Sequence, residues 1–190
     1  MARPRSEDKR NALLAAATQV FADDGINAPT VRIAKAAGVA EGTLFTYFSN
    51  KDELLNQLYL DMKSELRGAM LSSYPRAADV KQRARHVWLA YIDWGVANPH
   101  KRKVVAQLAV CDRITAGSKA VSAGAFSEFN AMVEESMAKG VLRDQPPAFV
   151  GAILVAMAET TMDFMGKEPA AAERFRTAGF EAFWRAVATS

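Results

Sequence analysis

Residues 36–48 read AAGVAEGTLFTYF and combine two glycines, two threonines and three aromatics, with Glu41 as their one charge. Buried whole, the segment would strand its hydroxyls; exposed whole, it would leave three rings in water. The spacing of the surrounding apolar residues resolves the conflict. Pro29 suits a first helical turn, and Ile33, Ala34 and Ala37 then line one side of a short helix over 29–37. Gly38 ends it. After Gly38-Val39-Ala40, a helix over Glu41–Phe48 sets Leu44 and Phe48 one turn apart on an inward face, leaving Gly42, Thr43, Thr46 and Tyr47 together outside. Two short helices joined by a tight glycine turn make a helix-turn-helix.

The flanking sequence supplies what such a unit packs on. Ser6 is the expected N-cap of a helix running to about Asp24, with Glu7 and Asp8 in its first turn and Leu13, Leu14, Ala17, Val20 and Phe21 as its stripe. Asn50 with Glu53 forms a capping-box pattern for a fourth helix. Its stripe is Leu54, Leu55, Leu58, Met62 and Leu66, and it ends near Tyr74-Pro75. Beyond it, glycine and proline punctuation predicts helices at about 79–97, 99–115, 118–139, 147–165 and 170–188. The expectation is an all-α protein of about nine helices. Residues 1–50 would form a helix-turn-helix domain, and residues 51–190 a second, larger helical domain.

The outward face of the third helix has the properties that a DNA groove about 12 Å wide demands. Gly42 permits close approach, the threonine and tyrosine hydroxyls can hydrogen-bond, and threonine methyls can touch thymine. The segment TVRIAKAAGVAEGTLFTYFSNKDELL resembles the DNA-binding signature of the TetR/AcrR family of bacterial transcriptional regulators. The match includes Ile-Ala in the second helix, Ala-Gly-Val at the turn, Gly-Thr-Leu opening the recognition helix, the Tyr47-Phe48 pair, and Lys51 before Glu53-Leu54-Leu55. The resemblance covers about residues 6–60 and implies a DNA contact surface of Thr30, Arg32, Ala40, Glu41, Gly42, Thr43, Phe45, Thr46, Tyr47 and Lys51. Thr30 and Lys51 would hold phosphates. Phe45 lacks the hydroxyl often found there, and Glu41 replaces a common basic residue, so it would either reject phosphate or accept from a cytosine amino group. Arg3, Arg5, Lys9 and Arg10 would form an arm on DNA or a solvated terminus.

The remaining chain carries two further expectations. Trp88, Tyr91, Trp94, Cys111, Phe126, Phe129, Met157 and Met162 either pack as core or line a pocket for an apolar or amphipathic effector. Ala148–Ala158 with Phe175, Phe180, Phe183 and Trp184 carries apolar surface for a homodimer through the last two long helices. Glu159 and Asp163 would be pocket anchors or dimer rim. The whole points to a ligand-responsive repressor that binds a palindromic double-stranded operator as a dimer. The alternatives are a regulator without effector, an activator, and a helical carrier or enzyme. The enzyme reading lacks a phosphate-binding glycine loop, a nucleophile elbow and metal-ligand spacing around His86 or His100; no cofactor or metal is expected. The net charge of +3 is compatible with a polyanionic partner. The single cysteine excludes an internal disulfide and, with no apolar leader, fits the cytoplasm. The apolar run from Ala148 to Ala158 falls short of the roughly 20 residues that a membrane span needs.

Overall fold

The structure, a computed structural model, describes residues 6–189. Its described residues form ten α-helices: α1 Glu7–Asp24, α2 Thr30–Ala36, α3 Glu41–Tyr47, α4 Lys51–Leu71, α5 Val80–Ala97, α6 Pro99–Ala109, α7 Ala116–Ala125, α8 Ser127–Ala138, α9 Pro147–Lys167 and α10 Ala172–Val187. A 3-10 turn, Pro169–Ala171, precedes α10. The protein is all-α. One isolated antiparallel bridge joins Leu142 to Ala188.

Packing divides the chain into two units, each with a core of its own. One comprises the described residues to Ser64 with Asn98–Ser122; the other comprises Glu65–Ala97 with the chain from Ala123. In the first, α1 packs on α2 and α6, and α2 packs on α3. Leu13, Ala17, Phe21, Ile33, Leu44, Phe48, Leu54, Leu55, Val104 and Leu108 are its dry centre. Burying each large side chain there contributes about 1.5–3 kcal/mol. That α6 belongs to this core is invisible in the sequence, because nothing in a local pattern names the partner of an apolar stripe.

In the second unit α9 packs against α10, α5 and α8, and α10 packs against α5. Val150, Leu154, Ala158 and Met162 of α9 meet a centre that includes Trp88, Phe180, Phe183 and Val187. Trp88 is fully buried, its ring stacked on Phe183 at 5.9 Å and tilted against Phe180 at 6.3 Å. Its indole N–H donates to the Arg176 carbonyl at 3.1 Å. Trp88 is a core residue, and Phe180 and Phe183 face inward onto it instead of supplying dimer surface. The α9 helix is long and apolar enough by composition to cross a membrane, yet it is packed against three helices; 28 % of its most apolar window is buried.

Several boundaries differ from expectation. The predicted 99–115 helix ends at Ala109, where Cys111 N–H turns back to the Leu108 carbonyl and Ile114 N–H to the Cys111 carbonyl. The predicted 118–139 helix is two, broken at Phe126, whose backbone leaves the helical region (φ −101°, ψ 14°) while its ring packs on Phe129. The fourth helix stops at Leu71, short of Tyr74, in a turn where Ser73 takes φ 54°. His86 is half-buried and hydrogen-bonds the Met70 carbonyl at 3.2 Å.

Candidate nucleic-acid interface

The turn between α2 and α3 is built by Gly38. Its φ of +68° suits glycine, and Gly38 N–H and Val39 N–H bond to the Lys35 and Ala34 carbonyls at 3.1 and 3.0 Å, the paired closure of a Schellman motif. Ala40 then stands in extended conformation as the N-cap of α3. Leu44 and Phe48 are buried as their spacing predicts. The α3 helix is therefore anchored on one side and open on the other.

On the open side Gly42, Phe45 and Thr46 are exposed with Ala40, while Thr43 and Tyr47 are half-buried. The Thr46 hydroxyl donates to the Gly42 carbonyl at 3.1 Å, which leaves its lone pairs turned outward. The Tyr47 hydroxyl accepts from Ser6 N–H at 3.1 Å. Ser6 holds the N-cap position of α1 but its hydroxyl makes no capping bond. The backbone of the chain entering α1 is thereby tied to the end of α3.

Neighbouring polar residues are engaged within the unit. The Thr30 hydroxyl donates to the Glu41 carboxylate at 2.6 Å, which joins the start of α2 to the start of α3. Arg32 pairs with Asp24 at 2.9 Å. The Lys51 ammonium donates to the Ala28 carbonyl at 2.7 Å and lies 5.7 Å from the Phe21 ring centre. Desolvation, and then the nearby Arg113 guanidinium, hold the Lys51 pKa below the ordinary lysine value, with Asp52 opposing. At α4, Glu53 N–H bonds to Asn50 Oδ1 at 2.8 Å, as the expected capping box requires, and the Glu53 carboxylate accepts from Ser49 N–H at 2.6 Å.

Of the residues expected to form an arm, Arg3 and Arg5 lie outside the described residues. Lys9 is exposed. Arg10 is held by α4, with Nη2 donating to Gln57 Oε1 at 3.1 Å and pairing with Asp61 at 3.8 Å. Asn56 and Arg113 are not among the expected site residues. They meet across 57 positions, a separation with no local signature.

Seven of the expected effector residues lie in the second unit, and Cys111 lies in the first. In the second unit the Tyr91 hydroxyl donates to Glu159 Oε1 at 2.7 Å, and the Trp94 indole N–H donates to Glu65 Oε1 at 3.1 Å. Phe129 packs edge-on against Tyr74 at 5.4 Å, Met162 is buried and Met157 half-buried. Glu159 thus turns toward α5, whereas Asp163 is exposed. Cys111 is buried in the turn after α6, in the first unit. A cleft of about 340 Å³ runs past Ala69, Ser72, His86, Leu89, Ala90, Asp93 and Trp94. Another of about 210 Å³ is bordered by Arg85, Leu89, Glu173, Arg176, Thr177, Phe180 and Glu181. Trp94 alone of the expected residues borders either.

Residues 13–58, which hold the α2–turn–α3 geometry, match the family model described as bacterial regulatory proteins, tetR family. The chain is 31% identical over 97 residues to the fatty acid metabolism regulator protein of Bacillus subtilis, covering 50% of each. It is 28% identical over 100 residues to the transcriptional repressor KstR2 of Mycolicibacterium smegmatis, covering 52% of this chain and 48% of that protein. The matched stretch thus spans half or less of these relatives' length. The crystal structure of a TetR-family transcription regulator from Shewanella sp. PV-4 superposes with a TM-score of 0.87 at 28% identity, covering 98% of this chain and all of that one. Sequence signature, local geometry and full-length fold agree: residues 13–58 carry the N-terminal domain of the tetR family of bacterial regulatory proteins, and the whole chain has the fold of a TetR-family regulator.

Proposed function

We propose that this protein is a transcriptional repressor that binds a palindromic operator as a homodimer and is released by an apolar or amphipathic small molecule. Residues 1–50 carry the DNA contacts, and residues 51–190 carry effector binding and dimerisation. The observation that supports this most directly is α3, pinned through Leu44 and Phe48 while Gly42, Phe45 and Thr46 stand exposed. In this reading Thr46 and Tyr47 meet base edges, with Gly42 and Ala40 allowing approach. Lys51 holds a phosphate, and Thr30 holds another once its hydroxyl turns from Glu41. Glu41 takes the one proton of that hydroxyl in the free protein, so DNA binding must break the Thr30–Glu41 bond. The repressor sense draws on the name of KstR2, and an effector with an acyl chain draws on that of the fatty acid metabolism regulator.

The dimer proposal rests on α9, an apolar helix that the protomer covers only in part. Ala148, Ala152, Val155 and Ala156 share its exposed side, and Ala178, Ala182 and Arg185 share that of α10. Small residues on two neighbouring helices let a second copy pack closely as a four-helix contact.

Selection from random duplexes tests the reading. It should enrich an inverted repeat, and Thr46→Ala or Tyr47→Ala should weaken binding to it by about 1–3 kcal/mol. Lys51→Ala should weaken binding to all sequences and flatten the salt dependence. A folded dimer that enriches nothing would sink the DNA assignment. For the effector, quenching of tryptophan emission that survives in the wild type and disappears in Trp94→Phe should coincide with loss of operator affinity.

A further inference from the structure

We infer that Asn56 is a positioning residue for DNA binding: together with the Arg113–Asp52 ion pair it locks the register of α4, and so the place of Lys51, against the turn at residues 111–115. The inference rests on the proposed operator-binding role of Lys51. Asn56 is the one buried asparagine among the described residues, 9 % exposed in the middle of the apolar stripe of α4. Both ends of its amide are used. Nδ2 donates to the Asp52 carbonyl at 2.8 Å and to the Arg113 carbonyl at 2.9 Å, and Oδ1 accepts from Thr115 N–H at 2.9 Å. The Arg113 guanidinium also pairs with the Asp52 carboxylate, one residue past Lys51.

The neighbours of Asn56 explain why this matters. Leu54, Leu55, Leu58 and Met62 hold α4 by hydrophobic contact, which is strong but non-directional and tolerates sliding or rotation of a helix. Hydrogen bonds with defined geometry do not tolerate it, and buried polar groups fix register in this way in other helical assemblies. A leucine at position 56 would extend the stripe, so the amide is a departure from the pattern of its own helix. Its partners are also fixed: Thr115 caps α7, its hydroxyl accepting from Ser118 N–H at 3.1 Å, and Ile114 is buried beside it. About one and a half turns separate Asn56 from Lys51, which bonds the Ala28 carbonyl just before α2. A slip of α4 would therefore move the phosphate contact relative to α3.

The test compares Asn56→Leu with wild type in three measurements: helix content, affinity for the selected inverted repeat, and affinity for a scrambled duplex of the same length. With helix content kept, the repeat should be bound about tenfold or more weakly, while the scrambled duplex and the salt slope stay unchanged, because the same phosphates are neutralised. A merely stabilising role would reduce the active fraction and weaken both duplexes by one factor, and that result overturns the inference. Unchanged affinity for the repeat overturns it as well. If Asn56→Leu fails to fold, Arg113→Gln, which removes the ion pair at a partly exposed site, takes its place with the same expected loss of selectivity and the same overturning results. A wild type that does not prefer the repeat shows instead that the operator reading has failed, and the inference falls with it.

Discussion

Lys51 sits under two opposing demands. In its proposed role it must be charged to hold a phosphate, yet burial and then the Arg113 guanidinium lower its pKa, with Asp52 opposing. For folding, the shift penalises the charged form, so the contribution of this group to stability increases as pH rises from the lowered value toward the ordinary 10.5. For binding the sign reverses. A phosphate favours the ammonium, so the bound-state pKa lies above the free-state one. The affinity that Lys51 contributes is complete below the free-state pKa and is lost as pH rises through the bound-state value. Operator affinity followed by anisotropy from about pH 7 to about pH 9.5 should begin to fall earlier than an ordinary lysine allows. Lys51→Arg, whose charge persists above about pH 12, should remove that early fall. An identical profile in the two proteins would show that Lys51 does not touch DNA.

At the scale of elements, the approach of α10 to α9 and α5 is set by one position. A Cβ on Gly179 would fall inside van der Waals contact of Thr161 Oγ1 and 2.7 Å from Cζ2 of the fully buried Trp88. An alanine in a helix interior ordinarily gains about 0.5–1 kcal/mol over glycine. At Gly179 overpacking opposes this at about 1–3 kcal/mol, so Gly179→Ala should destabilise. At Gly68 in α4 no atom lies within 4 Å of the added methyl, and Gly68→Ala should stabilise by about 0.5–1 kcal/mol. Denaturant unfolding of both variants should give opposite signs, and a stabilised Gly179→Ala would mean that α10 does not pack this closely. The contrast also marks what the sequence can carry. The helices α2 and α3, with Leu44 and Phe48 inside, were legible because glycine punctuation and a one-turn apolar spacing are local signals. The break at Phe126 has no proline to announce it. The role of Gly179, the inward turn of Phe183 and the bond from Asn56 to Thr115 depend on contacts between distant segments. An exposed face was readable on α3, but that Thr30 bonds Glu41 and Tyr47 bonds Ser6 was not, since a hydroxyl does not announce its acceptor.

For the whole molecule, operator symmetry and chain number must correspond. An inverted repeat read in successive major grooves places two recognition helices about 34–36 Å apart, which one chain with one α3 cannot supply. In the proposed reading a second copy is held by a surface outside the reading helices. Phe180 and Phe183 are unavailable, each 2 % exposed against Trp88 in the protomer's own core, so Phe183→Glu should cost helix content before it changes assembly. The outer side of α9 has no such duty. Val155 is 41 % exposed, and Ala152 beside it is exposed too. Glutamates at both positions would leave the core intact while placing like charges where two copies meet, with desolvation added to repulsion. Sedimentation at micromolar concentration should show a dimer for the wild type and a folded monomer for the Ala152→Glu, Val155→Glu variant. The monomer should bind the full inverted repeat no better than a single half-site, because the second contact is no longer intramolecular. Helical dimers that persist in this variant would place the two-fold contact on another face, and the α9–α10 assignment would be wrong.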